Sequence, residues 1–89
     1  MLDVDSDELR MLLGTATILR AQGNYEDSER LLAGRIDEMS DEAKEATFLQ
    51  LIYCALEWNN PEKAKHYAEE LAKYDPDIPT VKKVLSGKM

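Results

Sequence analysis

The chain has 89 residues, which is enough for one domain and too few for two independent hydrophobic cores. Its 18 acidic and 11 basic residues give a formal net charge of −7, and no run of Lys or Arg supplies the basic patch that nucleic acids require. The acidic start (MLDVDSDELR) is unlike a signal peptide, and no apolar run approaches the roughly 18 residues of a membrane span, so we expect a cytoplasmic protein that binds neither nucleic acid nor membrane.

Two helices are predicted in the first half of the chain. Ser6 is placed to cap the first helix, and Asp7 follows it in the first turn, where the helix dipole favours negative charge. Apolar residues then recur at helical spacing: Leu9, Leu12, Leu13, Ala16 and Leu19. Gly23 ends this helix because glycine tolerates the left-handed conformation, and Asn24 can cap the next. The stripe of the second helix is Ser28, Leu31, Leu32 and Ile36.

The second half predicts two longer helices and a short one. Ser40 can cap the third helix, whose apolar residues are Ala43, Phe48, Leu51, Ile52, Ala55 and Leu56. Asn60 can cap the fourth, and Pro61 suits its first position. The apolar stripe of the fourth helix is Ala64, Tyr67, Ala68, Leu71 and Ala72. Pro76 closes that helix, and a short amphipathic helix can follow through Val81, Val84 and Leu85. No segment alternates with period two, so the fold class is all-α.

The two halves of the chain are related to each other. The segment from Gly23 to Ser28 lines up with the segment from Asn59 to Ala64, 36 residues later. With this spacing the chain resembles the tetratricopeptide repeat family, whose unit is about 34 residues with small and aromatic residues at fixed places. The family's places are matched by Ala16 and Gly23-Asn24-Tyr25 in the first unit, and by Phe48, Leu51, Ala64 and Asp75-Pro76 in the second.

Several positions depart from the family pattern. They are Thr15 for leucine, Ser28 for alanine, Ser40 for proline, Ile52 for glycine, Ala55 for tyrosine and Pro61 for the aromatic of the turn. The resemblance implies an α-solenoid fragment of antiparallel helical hairpins, with one repeat at about 9–40, a second at about 45–78 and a C-terminal capping helix at about 79–86. The alternative is a four-helix bundle whose halves are similar by chance.

The resemblance also implies where a partner would bind. In this family the first helix of each unit lines a concave groove, which here carries Arg10, Leu13, Thr17, Arg20, Leu49, Gln50 and Tyr53, with Leu56 and Glu57 as further candidates. Some family members clamp a peptide carboxylate with lysine and asparagine, but Leu13, Thr17 and Gln50 occupy the corresponding places. The groove suits a hydrophobic helix or an extended segment instead, with Arg10 or Arg20 pairing an acidic side chain.

A second interpretation of the apolar groove residues remains open. Leu13 and Leu49 lie off the core stripe, yet they can pack against each other or beneath Leu2 and Val4. Two units also make a short solenoid. At least three units are usually needed for independent stability, so the two ends of this solenoid need to be covered. One end can be capped by the C-terminal helix, and the other can be met by a second copy or by a partner chain.

Catalytic and metal sites are not indicated by the sequence. His66 is the only histidine and falls at the boundary of the stripe in the fourth helix, where a surface role is expected. Cys54 has no histidine at helical spacing and is predicted to be a buried structural thiol. The acidic clusters lack the spacing and central glycine of a calcium loop, and no glycine-rich phosphate loop is present.

We therefore predict a protein-interaction module, adaptor or chaperone-like in character, with no enzymatic activity and no cofactor. Its partner would be another protein or a peptide, held as a helical or extended segment in the groove. The alternative is a structural subunit that associates with itself, as a homodimer or larger homo-oligomer, and binds no peptide.

Overall fold

A computed structural model describes residues 1–87 and shows an all-helical chain, as predicted. Its five α-helices are α1 (Asp7–Ala21), α2 (Tyr25–Ala33), α3 (Asp41–Glu57), α4 (Pro61–Ala72) and α5 (Pro79–Ser86). A 3₁₀ turn (Ile36–Glu38) lies between α2 and α3. Within residues 1–87 there is no strand, only an isolated bridge between Leu2 and Met39.

The predicted helix caps form at three of four positions. Ser6, Ser40 and Asn60 each accept a hydrogen bond from the backbone N–H three residues later, which satisfies a donor that the first turn leaves free. Asn24 occupies the cap position of α2, but its side chain donates to Gln22 Oε1 at 3.4 Å and makes no capping bond. Helix boundaries are therefore encoded locally, with one cap differing in detail.

The two long helices α1 and α3 end in the same kind of turn. Gly23 has a φ of 81° and Asn59 a φ of 57°, and these are the residues 36 positions apart in the sequence repeat. The N–H of Asn24 donates to the carbonyl of Leu19 at 2.8 Å, and the corresponding bond 36 residues later measures 2.9 Å. This is the Schellman pattern, in which a left-handed residue lets the chain reverse after the helix. The turns that match in the sequence repeat therefore share their backbone geometry.

Each long helix packs against the helix that follows its turn. α1 packs on α2, and α3 packs on α4; we call these two pairs of consecutive packed helices the first and the second hairpin. The first hairpin meets the second through contacts of α1 and α2 with α3. α5 packs against α4. The principal extents are 35 × 29 × 17 Å. Because packed helix axes lie about 8–10 Å apart, the described chain is about two helices thick.

The order of small and large core residues is opposite in the two hairpins. In the first hairpin the small Ala16 of α1 is buried together with the large Leu32 of α2. At the positions 36 residues later the order is reversed, with the large Ile52 on α3 and the small Ala68 on α4. Each hairpin thus contributes one small and one large residue to the common core at these related positions.

A buried hydroxyl marks the close approach of α1 and α2. Ser28 is 2% exposed, and its Oγ donates to the carbonyl oxygen of Ala16 at 2.8 Å. Because a buried hydroxyl needs a hydrogen-bond partner, this bond makes serine acceptable where Ala64 stands in the second hairpin. The small residues predicted at the helix contacts are all buried: Ala16, Ser28, Ala64 and Ala68.

The N-terminal segment is fixed to the link between the hairpins. The N–H of Leu2 donates to Glu38 O at 2.6 Å, the N–H of Ser40 donates to Leu2 O at 2.7 Å, and the Leu2 side chain is 7% exposed. The predicted stripe of the second helix ran on to Ile36, but α2 ends at Ala33. Gly34 follows, and Ile36 instead opens the 3₁₀ turn that presents the Glu38 carbonyl to Leu2.

Candidate functional site

The seven residues predicted to bind a partner lie on α1 and α3, which pack side by side. Four lie on α1 (Arg10, Leu13, Thr17, Arg20) and three on α3 (Leu49, Gln50, Tyr53). Each set is spaced by three or four residues, apart from one neighbouring pair, so each follows one side of its helix. We call the surface formed by these seven residues the α1–α3 face.

Arg20 joins the two helices of this face. Its Nη1 donates to Gln50 Oε1 at 3.0 Å, its Nε lies 3.1 Å from Glu57 Oε2, and its side chain is 17% exposed. Both acceptors belong to α3, so the guanidinium links the hairpins directly. Arg20 is therefore engaged within the chain and positions α1 against α3, and its pairing with a carboxylate of a partner stays a prediction.

Arg10 is the exposed cation of the α1–α3 face. Its side chain is 72% exposed, and it pairs at 3.4 Å with Asp7, which is 90% exposed. Exposed pairs of this kind contribute little, about 0–1 kcal/mol, and exchange readily. Arg10 can therefore turn to another carboxylate, whereas the hydroxyl of Thr17 is already bonded to the carbonyl of Leu13 at 2.9 Å.

The apolar residues of the face are shared between core and surface. Leu13 and Leu49 are half-buried and pack against the hydrophobic core, which supports the interpretation that they contribute to folding. Both still expose part of their side chains to solvent. Tyr53 is half-buried too, and in the described part of the chain it is not a member of the core cluster. Tyr53 is accordingly the residue of the three whose surface role is clearest.

Sequence reasoning missed Ala46, which belongs to the same side of α3. Ala46 is half-buried and precedes Leu49, Gln50 and Tyr53 by three, four and seven residues. That spacing places all four on one side of the helix and is the pattern by which Ala46 can be recognised. Glu57, a further candidate from the sequence, continues the series and is held by Arg20.

A polar cluster on the shorter helices of the two hairpins lies apart from this face. The carboxylate of Glu29 on α2 is 14% exposed and accepts hydrogen bonds from Lys63 Nζ at 2.8 and 3.0 Å and from Tyr67 Oη at 2.6 Å. Burial, followed by the bond to Glu29, raises the pKa of the Tyr67 hydroxyl. Lys63 also lies 5.6 Å from the ring centre of Trp58, which stacks on Tyr25 at 6.2 Å.

Groups capable of nucleophilic or acid–base chemistry are dispersed. Cys54 is 2% exposed, its Sγ donates to Tyr25 O at 3.4 Å, and burial raises the pKa of the thiol, so the predicted structural thiol is confirmed. His66 is exposed, as expected. Within residues 1–87 no three His, Cys, Asp or Glu side chains are grouped to hold a metal ion. None of the helices in that range is long and apolar enough to cross a membrane.

Comparison with known proteins identifies no relative of this chain. No protein-family profile matches the chain, and neither a curated protein nor a solved structure matches it at a significant level. Function is therefore inferred from the chain's own residues and their geometry.

Proposed function

We propose that this chain is a protein-interaction module that holds a helical or extended segment of another polypeptide on the α1–α3 face. The observation that carries the proposal is the position of Tyr53, a half-exposed aromatic residue outside the core, on a surface that also presents the exposed cation of Arg10. Aromatic and Arg side chains are the residues that most often dominate binding energy at protein interfaces.

The repeat geometry supports a tetratricopeptide-type arrangement of the hairpins. Both long helices end in the same turn, and the chain reverses 36 residues apart at Gly23 and Asn59. The first hairpin packs on the second mainly through α3. In a solenoid of this type the first helices of successive units form one side of the stack, and that side here is the α1–α3 face.

The parts of the face have different roles in the proposed mechanism. Tyr53 and the exposed parts of Leu13 and Leu49 bury apolar groups of the partner, which contributes about 25 cal/mol for each Å² removed from water. Arg10 pairs a carboxylate at the edge and fixes orientation. Arg20 holds α1 at its distance from α3, so that the surface is formed before binding.

The proposal can be tested with a peptide probe taken from a display library. The library presents random peptides about 16 residues long, which can form about four helical turns, and it is panned on the immobilised chain. An enriched peptide is then synthesised with a fluorophore and titrated by anisotropy. Tyr53→Ala should weaken its binding by about 2 kcal/mol, roughly 30-fold. Lys65→Glu, a charge reversal on the exposed part of α4, is the control for Arg10→Glu and should leave affinity within about twofold.

Two results would contradict the proposal. One is that panning enriches no peptide above the background of an unrelated acidic protein. The other is that enriched peptides bind Tyr53→Ala and Arg10→Glu as well as they bind the parent chain. Light-scattering mass over a hundredfold concentration range separates the self-association alternative, because a free binding module should keep its monomer mass.

A further inference from the structure

The outer side of the first hairpin exposes apolar residues that the α1–α3 face does not include. Met11 is 73% exposed and Ile18 is 59% exposed, and both lie on α1 at a spacing of seven residues. Between α1 and α2 runs an open groove of about 400 Å³, lined by Glu8, Met11, Leu12, Thr15 and Leu31. Ile18 lies one turn beyond Thr15 on the same side of α1. We call this surface, formed by the five lining residues and Ile18, the outer groove.

The internal repeat shows what kind of element covers such a surface. The residues 36 positions after Met11, Thr15 and Ile18 are Thr47, Leu51 and Cys54. These three are 0%, 1% and 2% exposed, because the first hairpin packs on α3 at this place. Cys54, for example, reaches the Tyr25 carbonyl of α2. The same side of the long helix is thus covered by helices in the second hairpin and uncovered in the first.

We propose that the outer groove docks an amphipathic helix of another polypeptide, with basic residues flanking the apolar stripe. A helix is the element that covers the equivalent surface of α3 within this chain. The small side chain of Thr15, between the larger Met11 and Ile18 on the same side of α1, lets a helix approach closely. The partner lies in the groove with its stripe against Met11, Ile18 and Leu31.

The charge around the outer groove determines which residues should flank the apolar stripe of the docked helix. The titratable group that lines it is the carboxylate of Glu8, which is 59% exposed. Asp7 beside it is 90% exposed, and Asp27, four residues before Leu31 on α2, is 62% exposed. Three cations lie in the same region and pair with these acids: Arg10 pairs with Asp7, Arg30 is shared by Glu26 and Asp27, and Arg35 is shared by Glu8 and Glu38. Five carboxylates therefore outnumber three guanidinium groups. A docked helix therefore meets an acidic rim, which favours Lys and Arg beside its stripe.

The same charges disfavour a second copy of this chain as the occupant. In a two-fold symmetric contact the same patch meets itself, so the acidic rim of one copy would face the acidic rim of the other. Each copy also brings a net charge of −7.

The inference is separate from the proposed function, because the outer groove and the α1–α3 face share no residue.

Two synthetic helical peptides of about 14 residues test the proposal, since four turns span α1. Both carry leucines in an i, i+3, i+4, i+7 stripe; one has lysine flanks and the other glutamate flanks. Fluorescence anisotropy against the whole chain should show the lysine peptide binding at least about tenfold tighter than the glutamate peptide. The double change Met11→Ser with Ile18→Ser should weaken the lysine peptide by about tenfold or more. Leu85→Ser, at an exposed leucine of α5, is the matched control and should have no effect.

Three outcomes would overturn this inference. If the lysine peptide binds the Met11→Ser, Ile18→Ser chain as tightly as the parent chain, the peptide is attracted by net charge alone. Equal binding of both peptides would remove the argument from the acidic rim. A parent chain that is dimeric by light scattering, and monomeric when Met11 and Ile18 are changed, would assign the groove to a second copy. Thermal unfolding checks that the variants fold, which the exposure of both residues leads us to expect.

Discussion

The hydroxyl of Tyr67 donates a 2.6 Å hydrogen bond to the carboxylate of Glu29, joining α4 to α2 although 38 residues separate them. Lys63 adds two bonds to the same carboxylate, whose side chain is 14% exposed. Hydrogen bonds to a charged group contribute about 1.5–3 kcal/mol each, less where a partner is open to water, as Lys63 is. This cluster therefore holds the two hairpins together on the side away from the α1–α3 face.

Replacing the carboxylate should loosen the hairpin contact. We expect Glu29→Ala to lower the free energy of unfolding by about 2 kcal/mol, because Tyr67 and Lys63 lose their common acceptor. The matched control is Glu26→Ala one turn earlier on α2, whose carboxylate is 68% exposed and pairs with the exposed Arg30; it should cost under about 0.5 kcal/mol. Urea unfolding followed by circular dichroism measures both. Equal losses would show that Glu29 has no special role.

Alkaline pH should destabilise the chain through Tyr67. Its pKa is raised in the folded state, so the folded chain holds this proton more tightly than the unfolded chain does. Stability from this group is complete below the unfolded tyrosine pKa of about 10 and falls as pH rises above it. Tyr67→Phe should lower stability at pH 7 and reduce the further loss between about pH 10 and pH 11. Denaturation midpoints in this range measure the slope, and an unchanged slope in the variant would contradict the assignment.

The same substitution at two glycines should have opposite effects. Gly23 has a φ of 81° and no heavy atom within 4 Å of an added Cβ, so Gly23→Ala costs only the backbone strain, about 1 kcal/mol. Gly14 is equally open but lies within α1, where Gly14→Ala should stabilise by about 0.5–1 kcal/mol. In a domain of this size each kcal/mol moves the melting temperature by about 4–8 °C. A loss at Gly14 would indicate that α1 needs glycine for another reason.

The thiol of Cys54 should be protected in the folded chain. It is 2% exposed, and burial raises its pKa, so the reactive thiolate is scarce as well as inaccessible. Iodoacetamide should label Cys54 at a rate limited by opening of the structure, and labelling should become fast in urea. Glu29→Ala should speed native labelling, since it weakens the contact between α2 and α4. Rapid labelling of the native parent chain would show that α2 does not cover the thiol.

Local features of the fold could be predicted from the sequence. Ser6, Ser40, Asn60 and Gly23 act on backbone groups within a few residues, so their roles follow from the neighbouring sequence. The burial of Ser28 followed from the repeat, since it stands where the second hairpin has alanine. These features give the helices and their order.

Contacts between distant residues could not be predicted. Glu29 reads as a surface acid of α2 until α4 brings Tyr67 against it. Leu2 was a candidate to cover Leu13 and Leu49, but its backbone bonds to Glu38 and Ser40 depend on the 3₁₀ turn and could not be predicted. Arg20 was expected to be a free cation because its partners, Gln50 and Glu57, lie 30 and more residues away.

The exchange of large and small residues between the hairpins has a consequence for folding. A chain with two similar halves risks pairing a helix of one half with the wrong helix of the other. If α4 took the place of α2 against α1, the small Ala68 would replace Leu32 and leave a void. If α2 took the place of α4 against α3, beyond the smaller contact that it makes there, Leu32 would replace Ala68 and crowd the core beside Ile52. Both mispairings would cost packing energy. The alternation of large and small side chains therefore favours the native pairs of helices.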